Sequence, residues 1–265
     1  MRSSAPNHTA LSYTAIAEYE RCAYRYHLQR VIGLPDVEPP GGGGDGAAAR
    51  GVVVHALLER LDFAAPLPPA ERDVAEAAAI AGVELAPDED RAAVAALAGA
   101  FARSPLCGRL ARAADVRREE AFAFVLGDRE LLRGFLDVAA VEPDGTLLIV
   151  DYKSDRVADG AELAGRVERD YSMQRLVYAL AGLASGAAAV EVAHCFLRCP
   201  EVVLATRYGA GRRAELEALL AARLAPLRSG RFEVSADPNR ERCGSCPGRA
   251  RLCSHEEVMT LREAR

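Results

Sequence analysis

Apolar residues recur at helical spacing from Ser12 to Val31, with Ile16, Tyr19, Tyr24 and Leu28 among them. Ser12 or Thr14 can serve as N-cap, and the polar side is rich in arginine, so this stretch predicts an amphipathic helix. Pro35, Pro39, Pro40 and the run Gly41 to Gly44 follow, and so many breakers predict a flexible connection. A short helix starts at Gly51, carries Val52, Val54, Leu57, Leu58 and Leu61, and stops before Pro66, Pro68 and Pro69. From Ala70 to Leu110 the chain is alanine-rich and helical, with breaks near Gly82, Pro87 and Pro105, and is expected to be an inserted helical subdomain.

The period then changes. Arg118 to Leu126, Glu130 to Val141 and Thr146 to Lys153 are rich in β-formers and are separated by Gly127-Asp128 and Pro143-Asp144-Gly145, which predicts three consecutive antiparallel strands. A helix from about Arg166 to Leu183, strands at Val190 to Arg198 and Val202 to Tyr208, and a helix from Arg212 to Arg228 complete the pattern. Helices, three strands, a helix, two strands and a helix define an α/β or α+β class with a mixed sheet. A single domain with helical additions is expected for the 265 residues.

Half of the residues are hydrophobic and 27% are charged, as in a folded soluble protein. No stretch approaches the roughly 18 apolar residues of a membrane span, and Met1 to Ala10 lacks the apolar core of a signal peptide, so a cytoplasmic, membrane-free protein is expected. The net charge of -5 means that any contact with nucleic acid must come from a local basic patch. Of the 33 basic residues only Lys153 is a lysine. Where arginine has replaced lysine almost everywhere, a surviving lysine marks a position that needs a compact ammonium. With one lysine and no G-x-x-x-x-G-K-[ST], the chain is expected to bind no ATP.

Lys153 has telling neighbours. Alternation places Leu147, Ile149, Asp151 and Lys153 on one face of a strand and Leu148, Val150 and Tyr152 on the other. Both faces are largely apolar, so the strand is central, with Asp151 and Lys153 emerging at its C-terminal end. In the preceding strand Asp137 stands in the row Phe135, Ala139 and Val141, and a carboxylate there must be paired, hydrogen-bonded or metal-bound. The Pro143 to Gly145 turn can set Asp137 beside Asp151, and two close carboxylates repel unless a cation lies between them. Such oxygen donors suit Mg²⁺ or Mn²⁺, which can activate a water while Lys153 positions or deprotonates the nucleophile. An Asp-Lys ion pair at a strand end is the plainer reading of Asp151 and Lys153.

Gly134-Phe135-Leu136-Asp137 followed by Ile149-Val150-Asp151-Tyr152-Lys153-Ser154 resembles the PD-(D/E)XK nuclease core, in its RecB-like and AddB-like branch, and the resemblance extends over nearly the whole chain. Ser12-Tyr13-Thr14 through Tyr19, Cys22, Tyr24 and Arg25 is similar to the opening helix of the nuclease domain of bacterial helicase-nucleases. Arg50-Gly51-Val52-Val53-Val54-His55 is similar to that branch's G-x-x-x-H helix, which implies that His55 joins Asp137, Asp151 and the backbone carbonyl of Tyr152 around the metal. Gln174-x-x-x-Tyr178 resembles the branch's Q-x-x-x-Y motif, which orders the lysine and contacts the DNA strand; Tyr171, Gln174 and Tyr178 are expected on one helical face. Glu119 or Glu120 corresponds to an acidic position near the first strand and equally reads as a solvated charge. Read alone, His55 between Val54 and Leu58 is a core residue, and the Tyr171 to Tyr178 row is aromatic packing.

Seven cysteines in a cytoplasmic protein read as ligands or buried thiols. Cys243, Cys246 and Cys253 form C-x2-C-x6-C in an Arg-, Gly- and Pro-rich tail, a spacing that asks for a metal and a fourth ligand. The resemblance implies Cys22 as that ligand and a [4Fe-4S] cluster as the cofactor, with Cys₄ zinc using the same donors and His255 as a substitute ligand. Cys107, Cys195 and Cys199 lie in or beside apolar segments and are expected to be structural.

The sequence thus predicts a metal-dependent DNA nuclease of the helicase-nuclease type, whose partners are DNA and a helicase motor, the motor being either a separate subunit or the rest of a longer helicase of which this chain is the C-terminal part. A standalone exonuclease like those of CRISPR adaptation shares the same motifs, and a non-catalytic, metal-stapled DNA-binding module is the reading from another class.

Overall fold

The computed structural model of the chain describes residues 9–38, 45–86, 89–127, 130–154 and 160–263. The expected connection over Pro39 to Gly44, and the breakers Pro87 and Asp128, lie outside the described residues. The chain divides into two compact units: residues 1–44, 125–134 and 217–265 form one, and residues 45–124 and 135–216 the other.

In the first unit, β1 (Thr9–Ser12) runs parallel to the opening residues of β3 (Glu130–Val141), Thr9 opposite Glu130 and Ser12 opposite Arg133. Ser12 Oγ then caps α1 (Tyr13–Arg21) by accepting from Ala15 N at 3.1 Å. The expected helix over Ser12 to Val31 is not continuous. It breaks at Cys22, whose φ of -163° and ψ of 107° are extended, and resumes as α2 (Ala23–Tyr26) and a π-turn over His27–Val31. Apolar spacing carries straight across this break because Ala15, Tyr19 and Tyr26 still converge on one small core with Leu227 and Phe232. Arg228 in the later part of this unit holds Glu130 at 2.6 Å.

The second unit is built on strands ordered β3, β4 (Leu147–Lys153), β5 (Ala189–Phe196) and β6 (Leu204–Gly209), with β2 (Asp115–Leu126) pairing β3. β3 and β4 are antiparallel, β4 and β5 parallel, β5 and β6 antiparallel, so the sheet is mixed as expected. The β3 to β4 turn is closed at Gly145, whose φ of +80° is open to glycine at no steric cost. Six of the seven residues of β4 are buried, which fits its two-sided apolar pattern.

One face of the sheet is covered by α3 (Asp45–Glu59), α4 (Glu71–Ala81), α5 (Glu89–Ala102) and α6 (Pro105–Leu110). Val54, Leu58, Val94, Phe101 and Leu106 from these helices share one core with Val138, Leu148, Val150, Tyr152 and Cys195. The alanine-rich segment is therefore a helical layer on the sheet, not a lobe apart from it. Arg109 of α6 anchors the layer through Glu142 at 2.7 Å and Glu191 at 2.6 Å.

On the other face lie α7 (Gly160–Asp170) and α8 (Ser172–Ala184). The single helix expected from Arg166 to Leu183 is interrupted at Tyr171, where φ is -122° and ψ is 5°. Leu163 and Val167 pack on Phe196, and α8 approaches the sheet closely at Gly182, where an added Cβ would lie 2.7 Å from Val190 Cγ2. α9 (Arg213–Arg228) leads to the tail, which carries α10 (Arg240–Cys243) and α11 (Glu257–Thr260). No helix among the described residues is long and apolar enough to cross a membrane.

Candidate active site

The β3 to β4 register pairs Val138 with Val150 and, continued by one step, sets Asp137 opposite Asp151. The two carboxylates share the face that α8 covers. Asp137 is the more open, with 16% of its side chain exposed, while Asp151 is buried. Asp137 Oδ2 accepts from Tyr152 N at 2.7 Å and lies 3.6 Å from His55 Nδ1. His55 reaches it from α3, its ring meeting the Tyr152 ring edge-on at 5.7 Å.

Lys153 Nζ is 2.7 Å from Asp151 Oδ2 and 4.2 Å from the centre of the Tyr171 ring. On the remaining side of Asp151, Gln174 Nε2 donates to Oδ1 at 2.6 Å and to Tyr178 Oη at 3.1 Å, and Tyr178 donates in turn to Phe135 O at 3.2 Å. The amide orientation follows from this contact, since the reversed group would set two oxygens together. Gln174 Oε1 is then a buried acceptor with no donor among the described residues. The resemblance implied that the glutamine orders the lysine; here it bonds Asp151, which in turn holds Lys153.

Burial pushes Asp151 above the ordinary carboxylate range, against the Lys153 charge and helped by Asp137. For His55, burial pulls the imidazole down, but the hydrogen bond and charge of Asp137, with Asp151 behind it, win and leave its pKa raised. Asp151 thus lies against Lys153 and Asp137 lies near His55, with Asp151 the carboxylate held above its ordinary range.

The donor chemistry suits a hard divalent cation. Asp137 and Asp151 supply oxygen, His55 an imidazole nitrogen, and Tyr152 a carbonyl. Lys153 O accepts from Leu197 N on the β5 side, so alternation turns the Tyr152 carbonyl toward β3, the side on which its own N–H meets Asp137. Among the described residues no three His, Cys, Asp or Glu side chains stand at metal-holding distance.

Two features escaped the pattern. Glu119, exposed on β2, adopts a φ of +46°, and desolvation and the charge of Asp137 hold its carboxyl above the ordinary range. Glu120 pairs with Arg117 at 2.6 Å. Phe135, expected in an apolar row with Asp137, is 62% exposed. Tyr171 stands at the interruption before α8 and contacts Lys153, while Gln174 and Tyr178 follow within the helix.

In the first unit Cys22, Cys243, Cys246 and Cys253 line one cavity, together with Arg25 and His255. His255 Nε2 is engaged 2.8 Å from Ser235 O. Burial raises Cys243, with the Cys22 and Cys253 thiols adding to it. Cys107 and Cys195 are buried in the sheet core and Cys199 packs beside Phe196, as expected of structural thiols.

The mixed sheet, flanked by helices, thus sets Asp137 within β3 beside Asp151 and Lys153 at the end of β4. Residues 10–253 match the family model of the PD-(D/E)XK nuclease superfamily, and the chain belongs to that superfamily. It is 39% identical over 134 residues to an ATP-dependent helicase/nuclease subunit from Desulforudis audaxviator, covering 44% of this chain and 10% of that protein. It is 32% identical over 165 residues to an ATP-dependent helicase/deoxyribonuclease subunit from Streptococcus equi subsp. zooepidemicus, covering 58% and 15%. The chain therefore spans a small part of the length of these curated relatives. A solved structure from Eubacterium rectale, provisionally assigned as an exonuclease, shares the fold with a TM-score of 0.54 and 12% identity, covering 94% of this chain and 91% of that one.

Proposed function

We propose that the chain is a Mg²⁺- or Mn²⁺-dependent deoxyribonuclease that hydrolyses phosphodiester bonds during DNA end processing and recombinational repair, fed by a helicase motor. The observation that carries this reading is Asp137 opposite Asp151, with Lys153 on Asp151 and His55 on Asp137, within a chain of this superfamily. Asp137, Asp151, His55 and the Tyr152 carbonyl would hold the cation, which when bound supplies water activation and charge stabilisation. Lys153 faces the developing phosphate charge as a point cation. Gln174 and Tyr178 hold Asp151 in orientation through the amide, and Tyr178 ties that pair to the backbone of β3. The helicase partner rests on the relatives, which are ATP-dependent helicase/nuclease and helicase/deoxyribonuclease subunits.

A free-standing exonuclease is the second reading, favoured by the match along most of a solved chain assigned to that activity. For either, cutting of labelled DNA by the purified chain should need Mg²⁺ or Mn²⁺ and vanish in Asp137→Asn and Lys153→Ala proteins that keep their fold. Full cutting by Lys153→Ala overturns the assignment.

In the first unit Cys22, Cys243, Cys246 and Cys253 would ligate a [4Fe-4S] cluster, with zinc as the alternative occupant. Support comes from their common cavity and from the break that turns Cys22 out of α1.

A further inference from the structure

Phe135 lies within β3, two residues before Asp137 and on the same face. At ~3.4 Å per residue their Cα atoms are about 7 Å apart. Ala139, next on this face, is buried, yet Phe135 keeps 62% of its surface in water. No other aromatic ring among the described residues contacts it. Its backbone is nonetheless fixed, because Phe135 O accepts from Tyr178, which is tied through Gln174 to Asp151. A ring on a fixed backbone, in register with the carboxylates and left uncovered, adds little to the core and offers a π face beside them.

Resting on the reading as a DNA nuclease, we infer that Phe135 is a stacking shelf for an unpaired nucleobase and directs the site to single-stranded DNA. In a duplex the base faces are already stacked on one another; in a single strand each face is available, and stacking on an aromatic side chain is indifferent to which base it is. Phe135 supplies that surface from a strand, with only two side-chain torsions to freeze. A base stacked there fixes its nucleotide beside Asp137.

The sequence holds no tryptophan, so Phe135→Trp introduces a single indole as a reporter. With Ca²⁺ as the divalent cation, its fluorescence should be quenched by a single-stranded oligonucleotide and not by a blunt duplex of the same length. Phe135→Ala should weaken single-strand binding about tenfold, as loss of one stacked base does, and raise KM for single-stranded substrate while duplex binding stays unchanged. An oligonucleotide of abasic sites should bind wild type and Phe135→Ala alike. Unquenched fluorescence on a bound single strand, equal losses on both substrates, or unchanged single-strand affinity in Phe135→Ala overturns the shelf. If the wild type binds and cuts no DNA at all, the nuclease reading falls first, and the inference with it.

Discussion

The Lys153 ammonium is gripped between the Asp151 carboxylate, at 2.7 Å, and the face of the Tyr171 ring, at 4.2 Å. Tyr171 is itself set by the interruption before α8, by stacking on His194 with ring centres 5.6 Å apart, and by the edge of Phe196. A cation over an aromatic face is worth up to about 2 kcal/mol when desolvated. Tyr171→Phe keeps the face and should retain most activity. Tyr171→Leu removes it, and kcat should fall about tenfold with KM nearly unchanged. Equal activity of the two variants would separate the contact from catalysis.

Asp151→Asn should abolish DNA cutting while leaving the melting temperature equal or higher. The carboxylate is buried and its pKa is raised, chiefly by burial, so in its charged form it costs the folded state free energy that the neutral amide does not. Lys153, with 14% of its side chain exposed, can turn its ammonium to water. A steep fall in Tm would mean that Asp151 serves the fold ahead of the site.

His194 sets an acid limit on stability. It is fully buried on β5, neither ring nitrogen has a hydrogen-bond partner among the described residues, and its pKa is pushed down to about 3, first by burial and then by the charges of Lys153 and Arg175. The unfolded chain takes up a proton near pH 6.5 that the folded chain refuses. Stability from this residue is therefore complete above about pH 6.5 and is lost as pH falls toward 3, by up to about 1.4 kcal/mol per pH unit. Thermal melts from pH 7 to 4 should show a shallower decline for His194→Phe than for wild type; parallel curves would remove His194 as the cause.

Protein purified without air should be brown and carry about four irons per chain, the content of one four-thiolate cluster. Cys22→Ser leaves the C-x2-C-x6-C group whole yet should lose iron and melt lower, because the link from Cys22 to Cys243 closes a loop of more than two hundred residues, worth roughly 5 kcal/mol in the loop-entropy model. Unchanged iron and Tm in that variant would exclude Cys22 as a ligand. One zinc and no iron in the wild type would keep the link and change the cofactor.

Much of the candidate site was legible because it lies on β3 and β4, where alternation and a two-sided apolar run leave few options for Asp137, Asp151 and Lys153. The single lysine among arginines pointed to the same place. The breaks were not legible. At Cys22 the apolar spacing continues through the interruption, and neither glycine nor proline marks it. Tyr171 sits between two segments that both favour helix. Glu119 takes a left-handed φ with no glycine or asparagine to announce it. The parallel pairing of Thr9–Ser12 with Glu130 to Arg133 joins residues far apart in sequence, beyond the reach of any local pattern.

The unit that carries the four cysteines is assembled from both ends of the chain and from ten residues in its middle, while the unit with the acidic residues fills the two stretches between. No single breakpoint in the gene can therefore part the two units intact. A cut anywhere along the chain leaves the cysteine-bearing unit divided, and one between residues 45 and 216 divides the other as well.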